Sequence, residues 1–219
     1  MRLVLFDMDH TLVSCDTGLE WSKFLLKQGL ISKEQHQERQ GFFLAYQNGA
    51  LDIDAAYRFE VNVLQQLEPA VRERLLQEYF LSVIKPAISD KAYEQVKKHK
   101  IAGNYVVIIT ATLSEIASLV AEFFEVDHLL ATKSKRDLMG NYEGGLEGEA
   151  CIGRGKLVHL EEWLVASGNN PEHYTFYSDS HNDLPLLEQV DIAIAVDPDD
   201  ILRSTAIKNG WDIISFHNH

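Results

Sequence analysis

Two carboxylates one residue apart, Asp7 and Asp9, are the side chains of this sequence best placed to do chemistry. They follow an uninterrupted apolar run, residues 3–6, which is typical of a strand buried on both faces of a parallel sheet. In open α/β sheets, ligands bind just beyond the carboxyl ends of the strands. Two acidic groups at such a buried strand end predict a partner that neutralises their charge.

Two later predicted strands also end in residues that could do chemistry. Residues 105–109 lead directly into Thr110, and residues 174–178 lead into Asp179. If these strands are neighbours of the first one, their carboxyl ends converge on one edge of the sheet. A strand-end aspartate taken alone is more often a turn former, so the prediction depends on the three ends meeting.

The chemistry that fits these residues is a Mg²⁺ site, because Mg²⁺ takes oxygen ligands and is held by one or two carboxylates plus a substrate phosphate. Asp7 and Asp179 can supply the two carboxylates. A calcium loop of the EF-hand kind is excluded, because Leu12 and Leu184 stand where such loops need glycine.

A single cation, Lys156, begins a predicted helix over residues 155–166. The helix dipole disfavours a cation in a first turn, so Lys156 indicates a nearby anion that both attract. The alternative is a solvated surface lysine. This segment is not a phosphate-binding P-loop, because Ala150 and Leu157 replace the glycine and the Ser/Thr that the loop needs.

The elements that must position these residues form a predicted α/β fold. A predicted helix begins at Pro86 and ends near Gly103. Strand and helix alternate from residue 85 onward, which favours a parallel, doubly wound sheet with a hairpin over 132–150 and an edge strand over 211–216. Residues 16–84 instead show four helical periodicities without a convincing strand. We expect a helical-bundle cap there, and a core made of residues 1–15 and 85–219. The alternative is that these helices only flank the sheet.

Composition restricts the partners. The chain has 219 residues, with 20 Lys and Arg against 33 Asp and Glu, a formal net charge of −13. This excess of acidic residues argues against nucleic acid or an anionic membrane as a partner, since proteins bind both through basic patches. The two cysteines form no C-x-x-C unit, and no secretory signal or membrane-length apolar run is found, so we expect a cytoplasmic protein.

The motifs together resemble the haloacid dehalogenase superfamily of phosphohydrolases, and the resemblance covers almost the whole chain. It is most similar to the subfamily with phosphoserine phosphatases and certain histidinol-phosphate phosphatases, which implies a Rossmann-like core with a type-one helical cap. The residues that carry the resemblance are Asp7-Met8-Asp9-His10-Thr11, Ile109-Thr110-Ala111, Lys156 and Asp179-Ser180-His181-Asn182-Asp183.

The resemblance implies catalytic roles for the first two carboxylates. Asp7 is expected to attack phosphorus and form an aspartyl-phosphate. Asp9 is expected to protonate the leaving alkoxide and then deprotonate water, so the pKa values of the two groups must differ. Mg²⁺ is expected to be held by the Asp7 and Asp179 carboxylates and by the Asp9 backbone carbonyl.

The resemblance also implies a phosphate-binding group and a supporting group. Thr110, the Ala111 amide and Lys156 are expected to hold the phosphoryl oxygens. Asn182 and Asp183 are expected to act from behind these residues or from their loop.

Substrate choice is expected to lie with the cap. Asp16 stands where phosphoserine enzymes of the family carry a glutamate, and Arg58 resembles their cap arginine, so we expect these two to bind substrate. Thr112 replaces a glycine of those enzymes. The alternative for Arg58 is a surface charge on a helix.

The resulting hypothesis is a Mg²⁺-dependent phosphatase that hydrolyses a small, amine-bearing phosphomonoester such as phosphoserine or histidinol phosphate through an aspartyl-phosphate. We expect a monomer or homodimer. Two alternatives stay open: a phosphotransferase of the same chemistry, and a catalytically idle metabolite-binding protein on this fold.

Overall fold

The computed structural model describes residues 1–217 and contains a six-stranded sheet and a separate two-stranded one. The strands are β1 (Arg2–Phe6), β2 (Tyr105–Leu113), β3 (His128–Thr132), β4 (Ser134–Arg136), β5 (Tyr142–Leu146), β6 (His173–Ser178), β7 (Ile192–Val196) and β8 (Asp212–Ile214). The large sheet has the order β3-β2-β1-β6-β7-β8, and each neighbouring pair is parallel. The predicted α/β class is confirmed.

Strand β1 lies in the middle of this sheet, between β2 and β6. Its apolar residues Leu3, Val4, Leu5 and Phe6 are at most 1% exposed, because side chains of both sheet faces are covered by helices. The sequence pattern of an uninterrupted apolar run is thereby explained. Since β2 and β6 flank β1 in parallel, the three predicted functional strand ends do meet at one edge.

Nine α-helices are found in the described part of the chain, with a π-helical turn at Phe80–Ile84 and 3₁₀ turns at Lys85–Ala87 and His181–Asp183. They are α1 (Thr17–Lys27), α2 (Lys33–Gln47), α3 (Ile53–Gln65), α4 (Pro69–Tyr79), α5 (Asp90–Ile101), α6 (Ser114–Phe124), α7 (Arg154–Ser167), α8 (Leu184–Leu187) and α9 (Asp200–Asn209). Among residues 1–217, none of these helices combines the length and apolarity needed to span a membrane.

Helices α1 to α4 lie in the chain between β1 and β2, as the periodicity predicts. Helices α1, α2 and α3 begin at side-chain N-caps, Asp16, Ser32 and Asp52, each of which accepts a hydrogen bond from a first-turn amide. The chain leaves and re-enters the core at adjacent points, because Ser14 N donates to Ala87 O at 3.0 Å. The boundaries of a separate cap at 16 and 84 stay a prediction.

Some predicted bounds are wrong. The helix expected to begin at Pro86 begins at Asp90, because the Ser89 hydroxyl accepts from Ala92 N and caps it there, while Pro86 lies in the preceding 3₁₀ turn. The last strand covers only Asp212–Ile214 of the predicted 211–216. Residues 218–219, which the predicted core includes, lie outside the described residues. The hairpin within 132–150 is found as antiparallel β4 and β5.

Candidate active site

The residues at the three neighbouring strand ends line one cavity. Asp7 follows β1, Asp179 follows β6, and Thr110 lies in β2 where its pairing with β3 becomes irregular. The backbone of Asp7 continues the sheet pairing, since its N–H donates to Tyr177 O at 2.9 Å. Sheet topology therefore places the side chains within one pocket although they are far apart in the sequence.

Lys156 is the cation of this cavity. Its Nζ donates to Asp7 Oδ1 at 2.7 Å and to Asp183 Oδ2 at 2.6 Å. The whole residue is only 2% exposed. Burial by itself lowers the pKa of Lys156, but Asp183 and Asp7 together raise it well above its usual range. The alternative of a solvated surface lysine is therefore wrong.

A close backbone approach brings Lys156 to this position. A Cβ at Gly155 would lie 2.0 Å from Ala150 O, so helix α7 can begin against the 149–151 backbone only because residue 155 is glycine. Asp183, the second partner of Lys156, is held in turn by Ser178 Oγ, which donates to Asp183 Oδ2 at 2.6 Å. Asp183 is thus placed behind Lys156, where the resemblance expects a supporting residue.

The acidic side chains outnumber the nearby cation. Asp7 and Asp183 both contact the one amino group of Lys156, and Asp179 lines the same cavity. Burial first, and then the charge of Asp7, raise the pKa of Asp179 well above its usual range, although Thr11 Oγ1 donates to Asp179 Oδ1 at 2.9 Å. Burial likewise raises the pKa of Asp7 to about 7 against the opposing effect of Lys156. These carboxylates lack a second positive charge in the described structure.

This donor set fits Mg²⁺. The Asp7 and Asp179 carboxylates and the Asp9 backbone carbonyl offer hard oxygen atoms with an excess of negative charge. Within residues 1–217, no group of three or more His, Cys, Asp or Glu side chains is arranged to hold a metal. A Mg²⁺ site does not need such a group, because water and substrate phosphate complete its coordination.

Asp9 is held by neutral donors from two elements. Thr112 Oγ1 donates to Asp9 Oδ2 at 2.6 Å, and Thr17 N, in the first turn of α1, donates to Asp9 Oδ1 at 3.2 Å. Burial, followed by the charge of Asp16, raises the pKa of Asp9 to about 7. Sequence reasoning noted Thr112 only as a departure from phosphoserine enzymes and missed this contact, which the departure itself could have suggested.

The predicted phosphate-binding residues also lie at this edge. Thr110 is 1% exposed, and its Oγ1 accepts from Thr112 N at 3.1 Å. The Ala111 carbonyl accepts from Tyr57 of α3 at 2.6 Å. Asn182 lines a neighbouring outer cavity, and its buried Nδ2 has no hydrogen-bond partner in the described residues. Their roles in binding phosphate or supporting the site stay predictions.

The cap side of the same cavity carries an ion-paired cluster. Asp16 Oδ1 accepts from Leu19 N at 2.6 Å as the N-cap of α1, and also from Arg39 Nη2 at 2.9 Å. Arg39 Nε lies 2.8 Å from Glu60 Oε1, close enough for an ion pair but not directed as a hydrogen bond. We call Asp16, Arg39 and Glu60 the cap cluster.

The predicted cap arginine, Arg58, lies outside this cavity, and its role in binding substrate stays a prediction. Arg58 is exposed and lines the outer cavity, and it is not among the residues that line the cavity of Asp7 and Asp9. Arg39, 8% exposed, lies there instead. Sequence reasoning missed Arg39 and Glu60, because nothing in the polar pattern of α2 or the periodicity of α3 distinguishes a buried charge from a solvated one.

The cavity is small and covered by the cap. Its volume is about 90 Å³, and its cap wall includes the aromatic side chains of Phe42, Phe43, Tyr46 and Tyr57. An outer cavity of about 880 Å³ shares Tyr46 and Tyr57 with it. The inner cavity is thus smaller than the roughly 300 Å³ or more of usual ligand pockets, whereas the outer cavity is within their range.

The family pattern for haloacid dehalogenase-like hydrolases matches residues 4–188, which include every residue of the cavity described above. The chain belongs to this family. The matched residues include both the strand ends and the cap cluster. The family membership that the sequence motifs predicted is therefore confirmed.

Relatives of this hydrolase are named as phosphatases, and the prediction of an enzyme, a phosphatase of this family, is confirmed. A histidinol-phosphatase of Neisseria meningitidis is 33% identical over 219 residues, which cover 98% of this chain and 99% of the relative. A phosphoserine phosphatase of Mycobacterium tuberculosis is 30% identical over 218 residues, covering 96% of this chain and 70% of the relative.

Solved structures agree with the fold of this hydrolase. A protein with unknown function from Bordetella pertussis superposes with a TM-score of 0.92 at 33% identity, covering 99% of both chains. A phospho-aspartyl intermediate analogue of phosphoserine phosphatase superposes with a TM-score of 0.70 at 23% identity, covering 99% of this chain and 93% of the other. The second likeness shows the shared fold alone.

Proposed function

We propose that this phosphatase is Mg²⁺-dependent and hydrolyses a small, amine-bearing phosphomonoester, such as phosphoserine or histidinol phosphate, through an aspartyl-phosphate formed on Asp7. The observation that carries the proposal is the pairing of a buried Asp7 with Lys156 at 2.7 Å, in the same cavity as an Asp9 that has only neutral donors. Two carboxylates one residue apart thus have different electrostatic partners, as nucleophilic and acid–base catalysis require.

In the first step, a carboxylate oxygen of Asp7 attacks phosphorus as the bond from phosphorus to the ester oxygen breaks. Asp9 gives its proton to the departing alkoxide, which leaves as an alcohol. In the second step, water attacks the phosphorus of the aspartyl-phosphate while Asp9 takes a proton from that water. Inorganic phosphate leaves, and Asp7 is regenerated as a carboxylate.

The two aspartates are suited to opposite protonation states. Lys156 favours the ionised form of Asp7 through the direct contact at 2.7 Å. No Lys or Arg within residues 1–217 forms an ion pair with Asp9, and burial and Asp16 favour its protonated form. Asp9 therefore enters the reaction as the acid and Asp7 as the nucleophile.

Mg²⁺ would be held by the Asp7 and Asp179 carboxylates and the Asp9 carbonyl. It supplies positive charge to the phosphoryl oxygens and so reduces their repulsion of an anionic nucleophile. The protein residues would supply the rest of the phosphate site: Lys156 directly as a charge, and Thr110 and Ala111 of β2 as hydrogen-bonding groups.

The test is phosphate release from a panel of phosphomonoesters with Mg²⁺, with EDTA and in the Asp7→Asn variant. We expect release only from the wild-type enzyme with Mg²⁺, and a loss of at least about 10⁴-fold in Asp7→Asn, as for removal of other covalent nucleophiles. Undiminished release by Asp7→Asn contradicts the mechanism, and release in EDTA contradicts the metal.

Phosphotransfer is distinguished by product analysis. With an added alcohol such as glycerol, a hydrolase releases inorganic phosphate in proportion to ester consumed. Ester consumption that exceeds phosphate release by the amount of new glycerol phosphate identifies a phosphotransferase. If no ester in the panel is hydrolysed or transferred, the result supports the third alternative, a catalytically idle metabolite-binding protein.

A further inference from the structure

The cap cluster of Asp16, Arg39 and Glu60 is packed into the cavity wall rather than exposed on the cap surface. A Cβ at Gly18 would lie 2.4 Å from Arg39 Nη2 and 3.2 Å from Glu60 Oε1, so the ion pairs lie directly over the backbone of α1. Arg39 of α2 is 8% exposed, Glu60 lies in α3, and Asp16 is the N-cap of α1. The cluster therefore has a defined position relative to Asp9, whose charge acts on Arg39.

The charge of the cavity is strongly unbalanced. Six acidic side chains line it, against two Lys or Arg side chains, Arg39 and Lys156. Both cations already contact two carboxylates each. Within the described residues that line the cavity, no Lys or Arg is left to receive a carboxylate from a substrate. At the cap end, Asp16 and Glu60 against Arg39 leave a net formal charge of −1.

From this geometry we propose that Glu60 is a specificity-determining residue, which with Asp16 binds the cationic head group of the substrate, while Arg39 holds the two carboxylates together and does not bind substrate. The inference rests on the proposed function and narrows it. The substrates selected are phosphomonoesters with a cationic head group and no carboxylate, so histidinol phosphate fits the site and phosphoserine does not.

The physical reason is the cost of unpaired charge. A cationic head group neutralises the net formal charge of −1 on the cap cluster and donates charge-assisted hydrogen bonds to its carboxylate oxygens. A substrate carboxylate at the same place would lose its water while facing Asp16 and Glu60, and Arg39 could pair with it only by releasing one of them.

A matched pair of esters tests the inference on the wild-type enzyme. O-phosphoethanolamine and O-phosphoserine differ only in the carboxylate. We expect kcat/KM for phosphoethanolamine to exceed that for phosphoserine by about 10-fold or more, the usual effect of one unpaired buried charge. An equal or higher kcat/KM for phosphoserine overturns the inference. This comparison needs no variant, so it is independent of whether a variant folds.

The Glu60→Gln variant tests whether Glu60 causes the preference for a cationic head group. The ratio of kcat/KM for phosphoethanolamine to that for n-propyl phosphate, which has a neutral head group, is expected to fall about 10-fold through KM. The control is Glu73→Gln, which changes an exposed glutamate on α4 of the same cap and leaves the ratio unchanged. An unchanged ratio in correctly folded Glu60→Gln overturns the role of Glu60.

Arg39 is tested as a positioning residue. Arg39→Lys keeps the charge but lacks the planar fork that spans two carboxylates, so we expect a larger rise in KM for phosphoethanolamine than fall in kcat. A lower kcat with unchanged KM contradicts this role. Hydrolysis of n-propyl phosphate distinguishes failure of the proposed function from failure of the specificity inference. If no ester is hydrolysed, both are contradicted. If all esters are hydrolysed with similar kcat/KM, only the specificity inference is contradicted.

Discussion

At the scale of single residues, the site depends on how each carboxylate is paired. Asp7 contacts a lysine, whereas Asp9 contacts the hydroxyl of Thr112 and the amide of Thr17. A hydrogen bond to the ionised form lowers the pKa of a carboxyl group, so Thr112 limits the rise that burial causes in Asp9. Thr112 thus adjusts the pH range in which Asp9 can act as an acid.

Thr112→Val tests this adjustment. Loss of the hydroxyl is expected to raise the pKa of Asp9 further, so the alkaline limb of the kcat/KM profile moves up by roughly half a unit to one unit, the equivalent of one hydrogen bond. The measurement is a pH–rate profile at saturating Mg²⁺. Thr205→Val, which removes an exposed hydroxyl on α9, is the control and keeps the wild-type profile. An alkaline limb that does not move in Thr112→Val speaks against the assignment of Asp9 as the acid.

At the scale of elements, the N-terminus of α7 decides where the central cation lies. The helix begins in contact with the backbone of residue 150 because Gly155 has no side chain there. Lys156 follows directly and reaches Asp7 and Asp183. The site therefore depends on a helix–loop packing distance as well as on the identity of the lysine.

Gly155→Ala changes that distance. The new Cβ would overlap Ala150 O at 2.0 Å, so the start of α7 must shift, with an expected loss of about 1–3 kcal/mol of unfolding free energy, as in overpacked cores. Urea unfolding and kcat report the two effects, and we expect kcat to fall because Lys156 moves with the helix.

Gly41→Ala in α2 is the matched control. Gly41 is exposed, and nothing lies within 4 Å of a Cβ built there, so alanine is expected to stabilise the helix by about 0.5–1 kcal/mol. If Gly155→Ala behaves like Gly41→Ala, the close approach at α7 is not a requirement of the site.

At the scale of the whole molecule, one edge of the sheet concentrates negative charge in a protein whose formal net charge is already −13. Folding brings Asp7, Asp9 and Asp179 together in one cavity, and burial raises the pKa of each. The protein thus carries an electrostatic cost at neutral pH that the proposed Mg²⁺ would relieve.

This cost predicts the pH dependence of stability. The pKa values of Asp7 and Asp9 rise from 3.8 to about 7 on folding, so the folded state binds their protons more tightly. Their contribution to the unfolding free energy is therefore greatest below pH 3.8 and falls as the pH rises to about 7. Mg²⁺ binds the ionised carboxylates, so it should raise the Tm more at pH 8 than at pH 5.

Thermal unfolding with and without Mg²⁺ at the two pH values measures the effect. At about 100 times its Kd, Mg²⁺ adds about 2.7 kcal/mol, or roughly 5–10 °C in Tm for a chain of this length. NaCl of equal ionic strength is the control for screening, and Asp179→Asn should remove most of the Mg²⁺ effect. A Tm rise that is the same at both pH values, or that NaCl reproduces, contradicts a carboxylate metal site.

Local patterns were sufficient for the elements and the reaction class. The apolar run before Asp7, the helical periods of α1 to α4 and the motif residues Lys156 and Asp179 are all short-range signals, and the structure places these motif residues in one cavity. Boundaries were less secure, because Ser89 rather than Pro86 caps α5, a choice made by one side-chain hydrogen bond.

The sequence by itself determined the parallel α/β fold and the strand-end carboxylates, since burial on both faces and the spacing of two aspartates are properties of neighbouring residues. Only the tertiary structure decided that Arg39 rather than Arg58 lies in the cavity, and that Glu60 joins it. The physical reason is that ion pairs between residues of three helical segments depend on how the helices pack. The apolar periodicity of one helix does not show which charged residues of the other helices will lie beside it.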